Sequence, residues 1–83
     1  MNASDVFSAV AQLITQKFEH DGAITPATVA DDIEGWDSVA HVELIIEIEQ
    51  RFGIRLTTGE AADLPNVGAL VSVVERHLRR NER

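Results

Sequence analysis

The stretch IEGWDSVAHVELIIEIEQRFGI, residues 33–54, decides how this chain folds. From Val39 onward its apolar residues recur at spacings of three and four, the period of an amphipathic helix. The spacing predicts a helix over residues 38–52, ended by Gly53, a residue suited to a left-handed stop. At about 100° per residue, Leu44, Ile48, Phe52, Ile45 and Val42 share one arc and are expected to face a core. Val39 and Ile46 fall outside that arc, beside Glu43, Glu47 and Gln50. The helix therefore carries more apolar surface than a core needs, close to Ser38. A serine at that position is ordinary capping chemistry, which poses the question of whether Ser38 only caps. A helix N-terminus also concentrates unpaired N–H groups and positive potential, so it tolerates a phosphate ester on a first-turn hydroxyl.

Outward from this segment the rest of the chain also reads as helix. Val6, Phe7, Val10, Leu13, Ile14 and Phe18 keep the helical period and predict a first helix over residues 3–18, capped by Asn2 or Ser4. The following EHDGAITPATVADDIEGW contains Gly22, Pro26 and Gly35 and has no period. It is a long connection for so small a domain, since helix–helix links usually run about 2–8 residues. Ile24, Val29 and Ile33 are expected to pin it to the core. Thr57 with Glu60 three residues on fits a capping box, and Pro65 stops the short helix they start. Asn66 is placed to cap a last helix carrying Val67, Leu70, Val71, Val74 and Leu78. No two alternating runs face each other across a tight turn. The expected fold is all-α: a small four-helix bundle of three longer helices and a short third one.

With 83 residues, 45% of them apolar, the chain is long enough for one small core, and residues 1–83 are expected to form a single domain. Fourteen acidic side chains against seven basic ones give a net charge of −7, which disfavours nucleic acid and anionic membrane and favours partners with basic surfaces. Arg76, Arg79, Arg80 and Arg83 complement the C-terminal end of a helix dipole rather than form a binding patch. There is no cysteine, so disulfides and thiolate metal sites are impossible and any thiol chemistry must be imported. The sequence has neither a signal-peptide pattern nor an apolar run of about 20 residues, and a monomeric cytoplasmic protein is expected. Met1 and the absence of a flanking linker suggest a discrete protein.

Side chains capable of catalysis do not form a set. His41 lacks a nucleophile and an orienting partner in sequence, and His20, His41 and His77 share no ligand spacing. The acidic run Asp31, Asp32, Glu34 and Asp37 does not follow a calcium-loop pattern. No enzymatic activity and no metal site are expected. Trp36 reads equally as a core anchor or a contact residue.

GWDSVAHVELIIEIEQRFGI resembles the attachment helix of acyl carrier proteins: an acidic loop, Asp-Ser and an aliphatic residue, then Val-Glu-Leu and a Glu-rich turn ending in Phe. FGIRL, the short segment with Ala61 and Leu64, and NVGALVSVV fall where that family has its third and fourth helices, so nearly the whole chain is covered. The resemblance implies a four-helix bundle of acyl-carrier type. It implies that Ser38, beside Asp37, receives 4′-phosphopantetheine from coenzyme A through a separate Mg²⁺-dependent phosphopantetheinyl transferase. The arm's thiol would then carry an acyl or aminoacyl group as a thioester. Further implied partners are an acyl-loading enzyme and a downstream synthase or transferase with basic docking surfaces. Val39, Glu43, Ile46 and Glu47 would meet those partners, and Leu44, Ile48, Ile54, Ala61 and Leu64 lie near the family's cargo-facing interior.

Three positions depart from the fatty-acid carriers: Ala40 replaces a usual acid, Trp36 a small residue and His41 a small polar one. The form GWDS followed by AH is similar to carriers of polyketide, modified-extender, specialised-metabolite or surface-polysaccharide pathways. The Gly-Gly-His-Ser common in aminoacyl carriers of peptide synthesis is absent. The competing expectation is a non-catalytic acidic interaction module in which Ser38 is only a helix cap.

Overall fold

A computed structural model describes residues 3–81, with side chains from Asp5 to Arg80. Four α-helices make up the fold: α1 (Ala3–Phe18), α2 (Ser38–Phe52), α3 (Thr58–Ala62) and α4 (Val67–Asn81). The bundle is all-α, as its periodicity predicts, with a single turn of 3₁₀ helix at Ala30–Asp32 interrupting the long connection. Asn2 and the Ser4 side chain, named as caps of α1, and Arg83 lie outside the described residues.

The core is a layer of aliphatic side chains between α1, α2 and α4. Val6, Val10 and Ile14 of α1, Leu44 and Ile48 of α2 and Val67, Leu70 and Val74 of α4 are almost completely buried. Their spacings of three and four put each set on one stripe, so one face of each helix is removed from water. α2 ends where Gly53 turns left-handed at φ 66°, a conformation that costs a residue with a Cβ but not glycine.

The connection at residues 19–37 is held by more than its apolar side chains. Ile33 is buried, while Ile24 and Val29 are half-buried. Thr28 is buried as well, with its hydroxyl accepting from the Thr25 N–H at 2.9 Å. The Val67 N–H donates to the Thr28 carbonyl and the Gly68 N–H to the Pro26 carbonyl, each at 2.8 Å. The Asn66 side chain accepts from the Ala69 N–H at 2.8 Å. These bonds satisfy N–H groups that the first turn of α4 cannot satisfy internally. A Cβ at Gly68 would lie 3.0 Å from the Pro26 carbonyl oxygen, so this close approach selects glycine.

The wheel placed one residue wrongly. Val42, expected in the core, is 58% exposed, and Phe52 is only half-buried against the core. Five-residue α3 is too short to cover the side of α2 that carries Val42, and an open cleft remains there. Val39 and Ile46 are exposed, as expected.

Candidate functional site: the start of helix α2 and its cleft

Asp37, and not Ser38, caps α2. Its backbone is extended, and its Oδ1 accepts from the Ala40 N–H at 2.8 Å. This is the geometry of an N-cap side chain, and it corrects the expectation that Ser38 fills that role. Ser38 is the first helical residue, exposed, and its hydroxyl makes no hydrogen bond among the described residues. The interaction-module reading gave Ser38 no role but that of a cap, and Asp37 fills it instead.

Ser38 stands on the rim of a cleft of about 780 Å³ between α2 and α3. Val42, Ile45 and Ile46 line it from α2, Ala61 and Ala62 from α3, with Leu56 and Leu64 from the flanking turns. Of the residues placed near the cargo, Ala61 and Leu64 line the cleft, whereas Leu44, Ile48 and Ile54 belong to the core. Val39, Val42 and Ile46 form an exposed apolar stripe beside Ser38, the last two also bordering the cleft.

Two histidines fasten α3. The Trp36 indole N–H donates to His41 Nδ1 at 3.1 Å, so Nδ1 is the unprotonated nitrogen. Nε2 then carries the proton and donates to the Ala61 carbonyl at 2.7 Å. Trp36 also stacks on Phe18, with ring centroids 5.3 Å apart. It therefore serves as a partly buried anchor and as a wall of the cleft. On the other side of α3, His77 Nε2 donates to Glu60 at 3.0 and 3.2 Å. Glu60 also completes the capping box, its Oε1 accepting from the Thr57 N–H at 3.0 Å while its own N–H donates to Thr57 Oγ1 at 3.1 Å. The Thr57 hydrogen bond first, and His77 second, pull the Glu60 carboxyl down to about 2.

The acids on the outer face of α2 are not free. Lys17 of α1 reaches both Glu43 and Glu47 at 3.2 Å. Desolvation lowers the affinity of this ammonium for its proton, but the hydrogen bonds and charges of Glu47 and Glu43 outweigh it and hold Lys17 above its ordinary value. Nothing local in the sequence marks this contact between residues 17 and 43.

Among the described residues no three His, Cys, Asp or Glu side chains form a group that could hold a metal ion. No helix among them is long and apolar enough to cross a membrane.

The family model described as a phosphopantetheine attachment site matches residues 8–74 of the chain. The chain belongs to this family. It is 33% identical to an acyl carrier protein of Lactobacillus acidophilus over 79 residues, covering 93% of this chain and 98% of that one. It is 30% identical to an acyl carrier protein of Thermotoga maritima over 76 residues, covering 89% and 93% respectively. The solution NMR structure of a holo acyl carrier protein from Geobacter metallireducens superposes with a TM-score of 0.83 at 35% identity, covering 93% of this chain and 90% of that one. The chain is accordingly an acyl carrier protein, a carrier and not a catalyst, with 4′-phosphopantetheine as its covalent group. The residues at the start of α2 fit such a group: a hydroxyl free of the cap, first-turn N–H groups that favour a phosphodiester, and an apolar cleft alongside.

Proposed function

We propose that Ser38 is the attachment residue and that this carrier presents a thioester-bound acyl or aminoacyl group to the enzymes of a specialised pathway. The observation that carries this reading is the exposed Ser38 hydroxyl, relieved of capping by Asp37 and placed at the rim of the cleft. A phosphodiester to Ser38 Oγ would form as the pyrophosphate link of coenzyme A breaks and adenosine 3′,5′-bisphosphate leaves, with a transferase supplying Mg²⁺ and the base that takes the hydroxyl proton. Once attached, the arm supplies the thiol that a chain without cysteine lacks.

Docking is assigned to Val39, Glu43, Ile46 and Glu47, with Asp37 beside the attachment point. The exposure of Val39 and Ile46 supports this, since an apolar stripe rimmed by carboxylates suits a basic partner with an apolar centre. A polyketide, specialised-metabolite or surface-polysaccharide pathway is favoured by Trp36, Ala40 and His41. The carrier is read as a single domain and a cytoplasmic monomer. Incubation with coenzyme A and a promiscuous phosphopantetheinyl transferase tests the assignment: intact mass should rise by one phosphopantetheine, and peptide mapping should place it on Ser38. A chain unchanged by several transferases would sink the reading.

A further inference from the structure

Two openings lie on either side of the Trp36–His41 pair. Outside is the cleft with Ser38 on its rim, and inside is a void of about 30 Å³ that reaches Leu70 of α4. Ala30, Trp36, His41 and Leu64 line both, so these side chains stand between the cleft and the smaller void beside Leu70. The void has room for little more than a water molecule. Its wall is fixed from several directions. Phe18 stacks on Trp36, the indole N–H is bound to His41 Nδ1, and His41 Nε2–H is bound to the backbone of α3. Moving the imidazole aside would leave an indole N–H and a carbonyl without partners in a partly buried setting, which disfavours an open state.

We propose that Trp36 and His41 form a partition at the inner end of the Ser38 cleft, which restricts this carrier to short acyl groups held in the cleft and excludes long chains from the bundle interior. The proposal rests on the carrier reading of Ser38. Val42, Ile45 and Leu56 give the cleft apolar walls for a short chain. A longer chain directed inward would meet the rings of Trp36 and His41, which line both openings, before reaching Leu70, which is 1% exposed.

The test uses hexanoyl- and decanoyl-loaded protein made from the corresponding coenzyme A thioesters, with loading verified by intact mass. Nuclear Overhauser contacts from the acyl chain to the Leu70 methyls report entry into the bundle. In the wild type neither chain should touch Leu70. In His41→Ala and Trp36→Leu the decanoyl chain should do so, and hydroxylamine should cleave its thioester more slowly than in the wild type. Each methylene admitted favours the protected form by roughly fourfold. His41→Gln, whose amide can accept from Trp36 and donate to Ala61, should behave as the wild type. Decanoyl contact with Leu70 in the wild type overturns the partition, and that measurement decides even if the variants fail to fold. Folded His41→Ala and Trp36→Leu proteins that both still exclude decanoyl overturn it too. A chain that takes up no arm overturns the carrier reading and this proposal with it, whereas a loaded wild type whose decanoyl chain reaches Leu70 overturns the partition alone.

Discussion

Lys17 Nζ lies 3.2 Å from Glu43 Oε1, which ties helix α1 to the acidic face of α2 beside Ser38. The same ammonium reaches Glu47, so two of the carboxylates assigned to docking share one internal counter-charge. Rim charges act mainly on association rate and are screened when the Debye length falls to about 8 Å. Lys17→Met is expected to unmask both carboxylates and to speed loading by a basic transferase at low salt. Glu43→Lys is expected to slow loading and to make the residual rate less sensitive to salt. Stopped-flow loading rates across a salt series check both, and rates that ignore both substitutions would remove this face of α2 from docking.

Neighbouring isoleucines of α2 should differ in what they contribute to stability. Ile45 is 7% exposed and Ile46 is 47% exposed. Truncating a buried Ile to Ala costs about 2–5 kcal/mol, whereas exposed positions stay within about 0.5 kcal/mol of neutral. Ile45→Ala should shift the urea midpoint clearly, while Ile46→Ala and Val42→Ala should leave it nearly in place. Equal losses at Ile45 and Ile46 would contradict the orientation of α2.

Helix boundaries were legible in the sequence because each has a local physical cause. Apolar period, Gly53, the Thr57–Glu60 pair and Asn66 all act within a few residues of the helix end they define. Ser38 at the start of α2 was legible for the same reason. What escaped depends on distant partners. A helical wheel gives the mean direction of the apolar face, but it cannot know that α3 stops after five residues and leaves Val42 beside an open cleft. The Lys17 bridges, the bonds of Val67 and Gly68 to the loop and the link from His41 to Ala61 all join residues far apart in the chain. The cap was misread because adjacent Asp37 and Ser38 are both good N-cap residues, and only the backbone shows which one is extended.

Glu60 makes the attachment of α3 to α4 sensitive to acid. Its folded-state pKa is depressed from 4.5 to about 2, so its contribution is fully present above the unfolded value and is lost as pH falls from there through about 2. Glu60 faces solvent in part, so the effect should be a modest loss of Tm rather than acid unfolding. Thermal melts of wild type and Glu60→Gln should differ at neutral pH and converge as pH falls below the ordinary carboxylate range. A difference that stays constant down to that acid limit would mean the Glu60 charge contributes nothing.

Cap and attachment point are adjacent residues, and substitution should separate them. Asp37→Ala removes the acceptor for the Ala40 N–H and should cost about 0.5–2 kcal/mol, with Asp37→Asn retaining most of the cap. Ser38→Ala removes a hydroxyl that caps nothing, so its stability should stay within about 0.5 kcal/mol of the wild type. Ser38→Asp should be at least as stable, because a negative charge in the first turn is favourable to the helix dipole. Loading should follow the opposite pattern. Neither a methyl nor a carboxylate at residue 38 can form the phosphodiester, so both Ser38 variants should stay folded and gain no mass from transferase and coenzyme A. Asp37→Asn, with the cap and the serine intact, should still be loaded, and any slowing reports recognition of the carboxylate itself. Denaturant midpoints and intact masses on this one set of proteins check the separation. A Ser38→Ala protein as destabilised as Asp37→Ala would return the cap to Ser38, and a Ser38→Ala protein that still gains the arm would move the attachment to another residue.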